Sequence, residues 1–153
     1  MADPQRHVTA SRRHKVTGDV HLVLLDDDGH VLLGRRKNTG FADGLYHLPA
    51  GHLEPGESVI DALIRETREE TGIFVSPDAI EFVHVMHNSA GGGRVAFFFT
   101  VRQWEGVPEN REPHKCSDLR WAPLHALPGN LVDYCRSALA DITDGKPFSL
   151  YGW

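Results

Sequence analysis

The segment GHLEPGESVIDALIRETREETGI, residues 51–73, sets a loop, a helix and a group of carboxylates at fixed spacings, and it limits the rest of the chain more than any other stretch. Pro55-Gly56 is a turn signal. Ser58 stands where a helix N-cap belongs, with Asp61 three residues on as an acidic form of the capping box. The helix is expected from about Val59 to Thr71, with Gly72 as its left-handed stop. At about 100° per residue, Val59, Ile60, Leu63, Ile64 and Thr67 make one apolar stripe. Glu66, Glu69 and Glu70 gather beside it, because residues three and four apart are helix neighbours. Asp61, Arg65 and Arg68 take the remaining face, from which Arg65 can lean back towards Glu57.

Three carboxylates at the edge of a buried stripe repel one another, so the pattern calls for a cation. Clustered hard oxygen ligands suit Mg²⁺ or Mn²⁺, and Mg²⁺ is typically held by a few carboxylates together with substrate phosphates. A solvated acidic face is the ordinary alternative. It leaves the fixed distances back to Gly51 and Glu57 unexplained.

The segment resembles the Nudix box, G-x5-E-x7-R-E-U-x-E-E-x-G-U with U bulky and apolar, and matches every fixed position; only Thr67, at the first U, departs. The resemblance implies an α+β fold, the Nudix-type α/β/α sandwich with a mixed central sheet and the box loop and helix at its centre. It also implies hydrolysis of a nucleoside diphosphate linked to another group, with divalent metal and water. Carried over residue by residue, Glu66, Glu69 and Glu70 correspond to the metal-binding carboxylates. Glu57 and Arg65 correspond to the charged pair that orients loop and helix. The carbonyl of Ala50 corresponds to a further ligand. The expected cofactor is Mg²⁺ or Mn²⁺.

A chain of 153 residues is one domain of ordinary size, and 41% hydrophobic with 24% charged residues is a globular composition. A net charge of −5 argues against stable binding to nucleic acid or to acidic membranes. Cys116 and Cys135 form no CxxC pattern and read as free thiols of a reducing compartment. No signal-peptide pattern opens the sequence and its apolar runs are too short to cross a bilayer, so a cytoplasmic protein is expected.

Residues 1–15 are polar and read as an N-terminal arm, or alternatively as a lead into the first strand, with a single domain over 16–153. Val16 to Leu25 and Val31 to Arg35 read as strands joined in a hairpin by Asp26-Asp27-Asp28-Gly29. Asn38 to Gly44 is a loop, Tyr46 to Leu48 a short strand that leads into the box. Ile80 to His87 and Arg94 to Trp104 are strands divided by a glycine-rich hairpin loop that lacks the Lys-Ser/Thr of a phosphate loop. Leu119 to Ala122 is the last strand, and Asn130 to Ile142 has helical periodicity.

Over most of its length the chain is most similar to the MutT-like branch, the nucleoside triphosphate pyrophosphohydrolases. By that resemblance Arg36 and Arg94 meet the nucleotide and Asn130 reads the base edge; a surface arginine and the N-cap of the final helix are the alternatives for Arg36 and Asn130. Trp104-Glu105-Gly106-Val107-Pro108 resembles the WEG-x-P segment of the branch, which puts Glu112 where a loop glutamate approaches the metals, unless it is only solvated. His52 could contact phosphate. The expected substrate is therefore a small nucleotide, a triphosphate or an oxidised or modified form. A nucleotide sugar, a pterin triphosphate and a non-catalytic nucleotide sensor are the alternatives. Oligomeric state is not encoded in any of these patterns.

Overall fold

The computed structural model describes residues 13–153, so most of the expected arm over 1–15 lies outside the described residues. Among the described residues, eight strands and two α-helices follow in the order β1 (Thr17–Leu24), β2 (His30–Arg36), β3 (Tyr46–His47), β4 (Ala50–His52), α1 (Val59–Thr71), β5 (Ile80–Asn88), β6 (Arg94–Val101), β7 (Cys116–Pro123), α2 (Asp133–Thr143) and β8 (Phe148–Tyr151). A five-stranded mixed sheet runs β4-β1-β6-β5-β8, and a three-stranded sheet runs β3-β2-β7. β1 pairs parallel with β6 and antiparallel with β4, and β5 pairs antiparallel with β6 and parallel with β8.

Strand β1 organises the two layers. Its alternate residues Val20, Leu22 and Leu24 enter one core with Leu63, Ile73, Val75 and Phe99, under α1. Val23 and Leu25 enter the other with Leu33, Leu48, Phe98, Cys135 and Leu139, under α2. Helix on sheet on helix is the expected α/β/α sandwich.

Three sequence expectations are corrected. The turn at Asp26–Gly29 forms, with Gly29 at φ 77, but β1 and β2 do not make a hairpin; only Leu25 and Val31 bridge, and the strands part into different sheets. The reason is that β1 already has neighbours on both edges. The final helix starts at Asp133 rather than Asn130. Residues before it are extended against Tyr46, whose N–H donates to the Asn130 carbonyl at 2.8 Å and whose carbonyl accepts from Val132 at 2.9 Å. Leu131 is therefore buried by strand-like pairing and not by a helical face. Strand β6 stops at Val101 rather than Trp104, because Glu105 pairs instead with Phe74. Strands β4 and β8, of three and four residues, were too short to show as patterns.

Asp19 and His21 share the β1 face that looks towards α2, and there a buried polar chain forms. The Tyr134 hydroxyl lies between Nε2 of His21, at 2.9 Å, and Nε2 of His47. Nδ1 of His47 meets the Leu48 carbonyl, so it carries the proton and Nε2 accepts from Tyr134. Burial lowers the pKa of both imidazoles, that of His47 to about 4. A histidine at its ordinary value near 6.5 when unfolded takes up its proton first, so the stability these two contribute is complete above pH 6.5 and falls as pH drops towards 4. His47→Gln is expected to flatten that dependence, by about 3 kcal/mol across the interval. Thermal melts of both proteins from pH 7 to 4 check this; parallel curves would contradict it.

Candidate functional site

Helix α1 is capped at both ends as its sequence dictates. Ser58 is extended and its hydroxyl accepts from the Asp61 N–H at 3.1 Å, and Gly72 closes the helix at φ 76. Arg65 Nε donates to Glu57 Oε1 at 2.6 Å and Nη2 to Oε2 at 3.0 Å, while Nη2 also reaches the His52 carbonyl at 3.2 Å. A two-pronged arginine–carboxylate pair fixes geometry as well as charge. It ties loop 52–58 to the helix and holds the Glu57 carboxyl down at about 2.

Gly51 explains its own identity. It lies on edge strand β4, and a Cβ there would stand 2.0 Å from the Glu66 carboxyl carbon. Only bare backbone lets Glu66 pass so close over the strand. Behind Glu66, Glu70 sits against the backbone of Ala50. Glu66, Glu70 and Glu112 line one cleft of about 1130 Å³, together with Ala50 and Gly51. Glu69 is not among the lining residues; half exposed, it turns to Arg65 Nη1 at 3.4 Å.

The electrostatics of this wall are unbalanced. Arg65 Nη1 pairs with Glu66 at 2.8 Å, but among the described residues no cationic side chain pairs with Glu70 or Glu112. Burial pushes the Glu70 carboxyl well above its ordinary range, and Glu66 and Glu112 push it further. Burial also raises Glu66, against the pull of Arg65. Uncompensated oxygens that converge beside bare backbone are the donor set a hard divalent cation takes. Three other ligand-type side chains, Asp26, Asp28 and His30, lie within 4.8 Å of one another at the β1–β2 turn. The turn accounts for them, since Asp26 accepts from the Asp28 and His30 N–H groups at 2.9 and 2.8 Å and from the His30 ring at 3.0 Å.

The cleft continues in two directions. On one side Arg36 donates to the Phe41 carbonyl at 2.7 Å and to Thr39 at 3.0 Å, with its guanidinium 5.2 Å over the exposed Phe41 ring. Asp43 clamps the same loop by accepting from Thr39 and Gly40. On the other side Arg94 grips the buried Asp19 through two bonds of 2.8 Å, and His52 Nδ1 meets the same carboxylate. Both arginines line the cleft, though Arg94 is largely neutralised by Asp19. Asn130 is not among the lining residues, and its amide donates to the Gly44 carbonyl at 3.3 Å. It is not the N-cap of α2 either, since Val132 holds that place.

Several lining residues escaped the sequence reading, among them Asp19, His21, Phe41 and Tyr134. A signal existed for two of them: Asp19 and His21 occupy alternate positions of an otherwise apolar strand, which places both on one face.

The profile of the NUDIX domain family matches residues 15–141. Among characterised proteins, the chain is 31% identical over 118 residues to the 8-oxo-dGDP phosphatase NUDT18 of Homo sapiens, covering 76% of this chain and 35% of that one. It is 33% identical over 117 residues to the NAD-capped RNA hydrolase NudC of Pseudomonas fluorescens, covering 70% and 37%. The chain thus spans about a third of the length of these relatives. A MutT NUDIX hydrolase structure from Burkholderia pseudomallei superposes with a TM-score of 0.74 at 28% identity, covering 82% of this chain and 97% of that one. The MutT protein of Methanosarcina mazei shares the fold at a TM-score of 0.75 and 21% identity, covering 88% and 97%.

Gly51→Ala is expected to cost about 1–3 kcal/mol, the scale of forcing an extra methyl into a packed site. In a Glu66→Ala background the same change should cost far less, because the clashing carboxyl is gone. Urea melts of the four proteins check this. Equal costs in both backgrounds would show that Glu66 does not rest on Gly51.

Proposed function

The chain belongs to the NUDIX domain family, and on that premise we propose that it is a Mg²⁺- or Mn²⁺-dependent hydrolase of phosphoric anhydrides. The proposed substrate is a nucleoside triphosphate, oxidised or modified forms included, cut to the monophosphate and pyrophosphate. The observation that carries this reading is the convergence of Glu66, Glu70 and Glu112 beside Ala50 and Gly51, with the carboxyls of Glu66 and Glu70 raised in pKa by burial. The named activities of NUDT18, an 8-oxo-dGDP phosphatase, and NudC, an NAD-capped RNA hydrolase, support the coarser part of it, hydrolysis of a nucleotide derivative.

In this reading Glu66, Glu70, Glu112 and the Ala50 backbone would hold the metal, with Glu69 at the outer edge of the set. When bound, the cation neutralises phosphate charge and lowers the pKa of attacking water. The other steps belong to side chains. Arg65 and Glu57 keep the loop and α1 in register, so that the carboxylates meet at one point. Arg36 and Lys115, both on the cleft wall, attract the phosphates, and Arg94 orients the far side of the nucleotide. Glu66 is the first choice for the base that takes the water proton, with Glu112 the loop alternative. Asn130 would contact the base only through a loop shift that frees its amide from Gly44.

A second reading, a nucleotide sugar as substrate, is favoured by the cleft itself. It extends past the carboxylates on both sides, towards Arg36 and Phe41 and towards Arg94. A substrate panel with Mg²⁺ separates the two: pyrophosphate released from triphosphates supports the first reading, and turnover confined to nucleotide sugars supports the second.

EDTA is expected to abolish turnover. Glu66→Gln and Glu70→Gln should each lower kcat roughly a hundredfold or more, the scale of losing one preorganised electrostatic group. Glu70→Gln should also raise the Tm of the metal-free protein, since it removes a buried, mutually repelling charge. Near wild-type kcat in both variants would exclude this wall as the active site.

A further inference from the structure

The segment 109–116 docks as a bracket on the end of α1. A helix C-terminus leaves its last carbonyls without intrahelical partners. Here the segment supplies them: the Glu109 N–H donates to the Thr71 carbonyl at 2.9 Å and the Arg111 N–H to the Glu70 carbonyl at 3.0 Å. Gly72 makes room for this docking, because a Cβ on it would lie 2.6 Å from Arg111 Nε. The last glycine of the 51–73 segment thus stops the helix and also seats a cation at the negative end of its dipole.

One side chain then closes the bracket. Asn110 Oδ1 accepts from the Glu112 N–H at 3.1 Å, and its Nδ2 donates to the Cys116 carbonyl at 2.7 Å. Inside this staple the Glu112 carbonyl accepts from the N–H groups of Lys115 and Cys116 at 2.9 and 2.8 Å. Asn38 and Lys37 hold the far side, through the His114 carbonyl at 3.3 Å and the Lys115 carbonyl at 2.9 Å. Without metal, Glu66 and Glu70 repel Glu112 and would drive it towards solvent. A loop carrying that carboxylate needs anchoring to stay in the cleft.

We propose that Asn110 is a positioning residue: by tying the Glu112 N–H to the Cys116 carbonyl it holds the Glu112 carboxylate over Glu66 and Glu70, ready for a divalent cation. The inference rests on the reading of Glu112 as a metal ligand. It makes the third carboxylate part of a preformed site and not of a loop that folds when metal arrives.

Two measurements on the metal-free protein test this. In hydrogen exchange, Asn110→Ala is expected to speed the amides of residues 111–116 about tenfold or more while those of α1 keep their protection; Glu112→Gln should leave both unchanged. By calorimetry with Mn²⁺, Asn110→Ala should weaken binding about tenfold to a hundredfold, the range for groups that orient metal ligands. The double variant should bind no more weakly than Glu112→Gln alone. Unchanged exchange, or wild-type Mn²⁺ affinity in Asn110→Ala beside weakened affinity in Glu112→Gln, overturns the inference alone. Wild-type affinity in Glu112→Gln overturns the ligand reading of Glu112 and the inference with it.

Discussion

A carboxyl group resting on bare backbone is the contact on which the site depends. Glu66 lies over Gly51 of β4 at a distance no other residue would permit. The Arg65–Glu57 pair keeps it there by holding the loop between β4 and α1 to the helix. Once Glu66 is fixed, the helical period brings Glu70 to the same wall one turn later. The adjacent row of α1, Leu63, Thr67 and Thr71, is buried against the sheet, so the helix cannot roll to relieve the crowding. The fold thus holds negative charges together in a place where water cannot fully screen them.

The two sheets set this cluster in a cleft. Strand β1 goes with the large sheet and β2 with the small one, and the cleft lies between the elements they carry. The Phe41 loop follows β2, the Glu112 bracket precedes β7, and Tyr134 comes from α2. Chain segments remote in sequence therefore face a single helix. Arg94 belongs to the site through Asp19, which spends most of its charge, so the far end of the cleft is polar without being strongly cationic.

The local part of this arrangement was legible in the sequence. Ser58, Gly72 and the Glu57–Arg65 approach follow from helix periodicity and capping, and each was found where its spacing puts it. The glutamate cluster was legible in outline, but helical spacing alone could not tell that Glu69 turns outward while Glu112 turns in. That depends on tertiary packing. The turn at Asp26–Gly29 misled for a similar reason: a hairpin signal says that the chain reverses, not which strand its neighbours will take as a partner. Asn130 likewise looked like a cap because Leu131 fits a helical stripe, yet pairing with Tyr46 claims that stretch first.

The central claim is that the 51–73 segment confines more carboxylate charge than Arg65 balances, so that its wall takes up a divalent cation. Titration of the glutamate side chains by carbon-detected NMR, with and without Mg²⁺, tests it most directly. In the metal-free protein the Glu70 carboxyl is expected to titrate well above the ordinary carboxylate range, and saturating Mg²⁺ should bring it below that range. An ordinary Glu70 titration that Mg²⁺ leaves unmoved would contradict the claim.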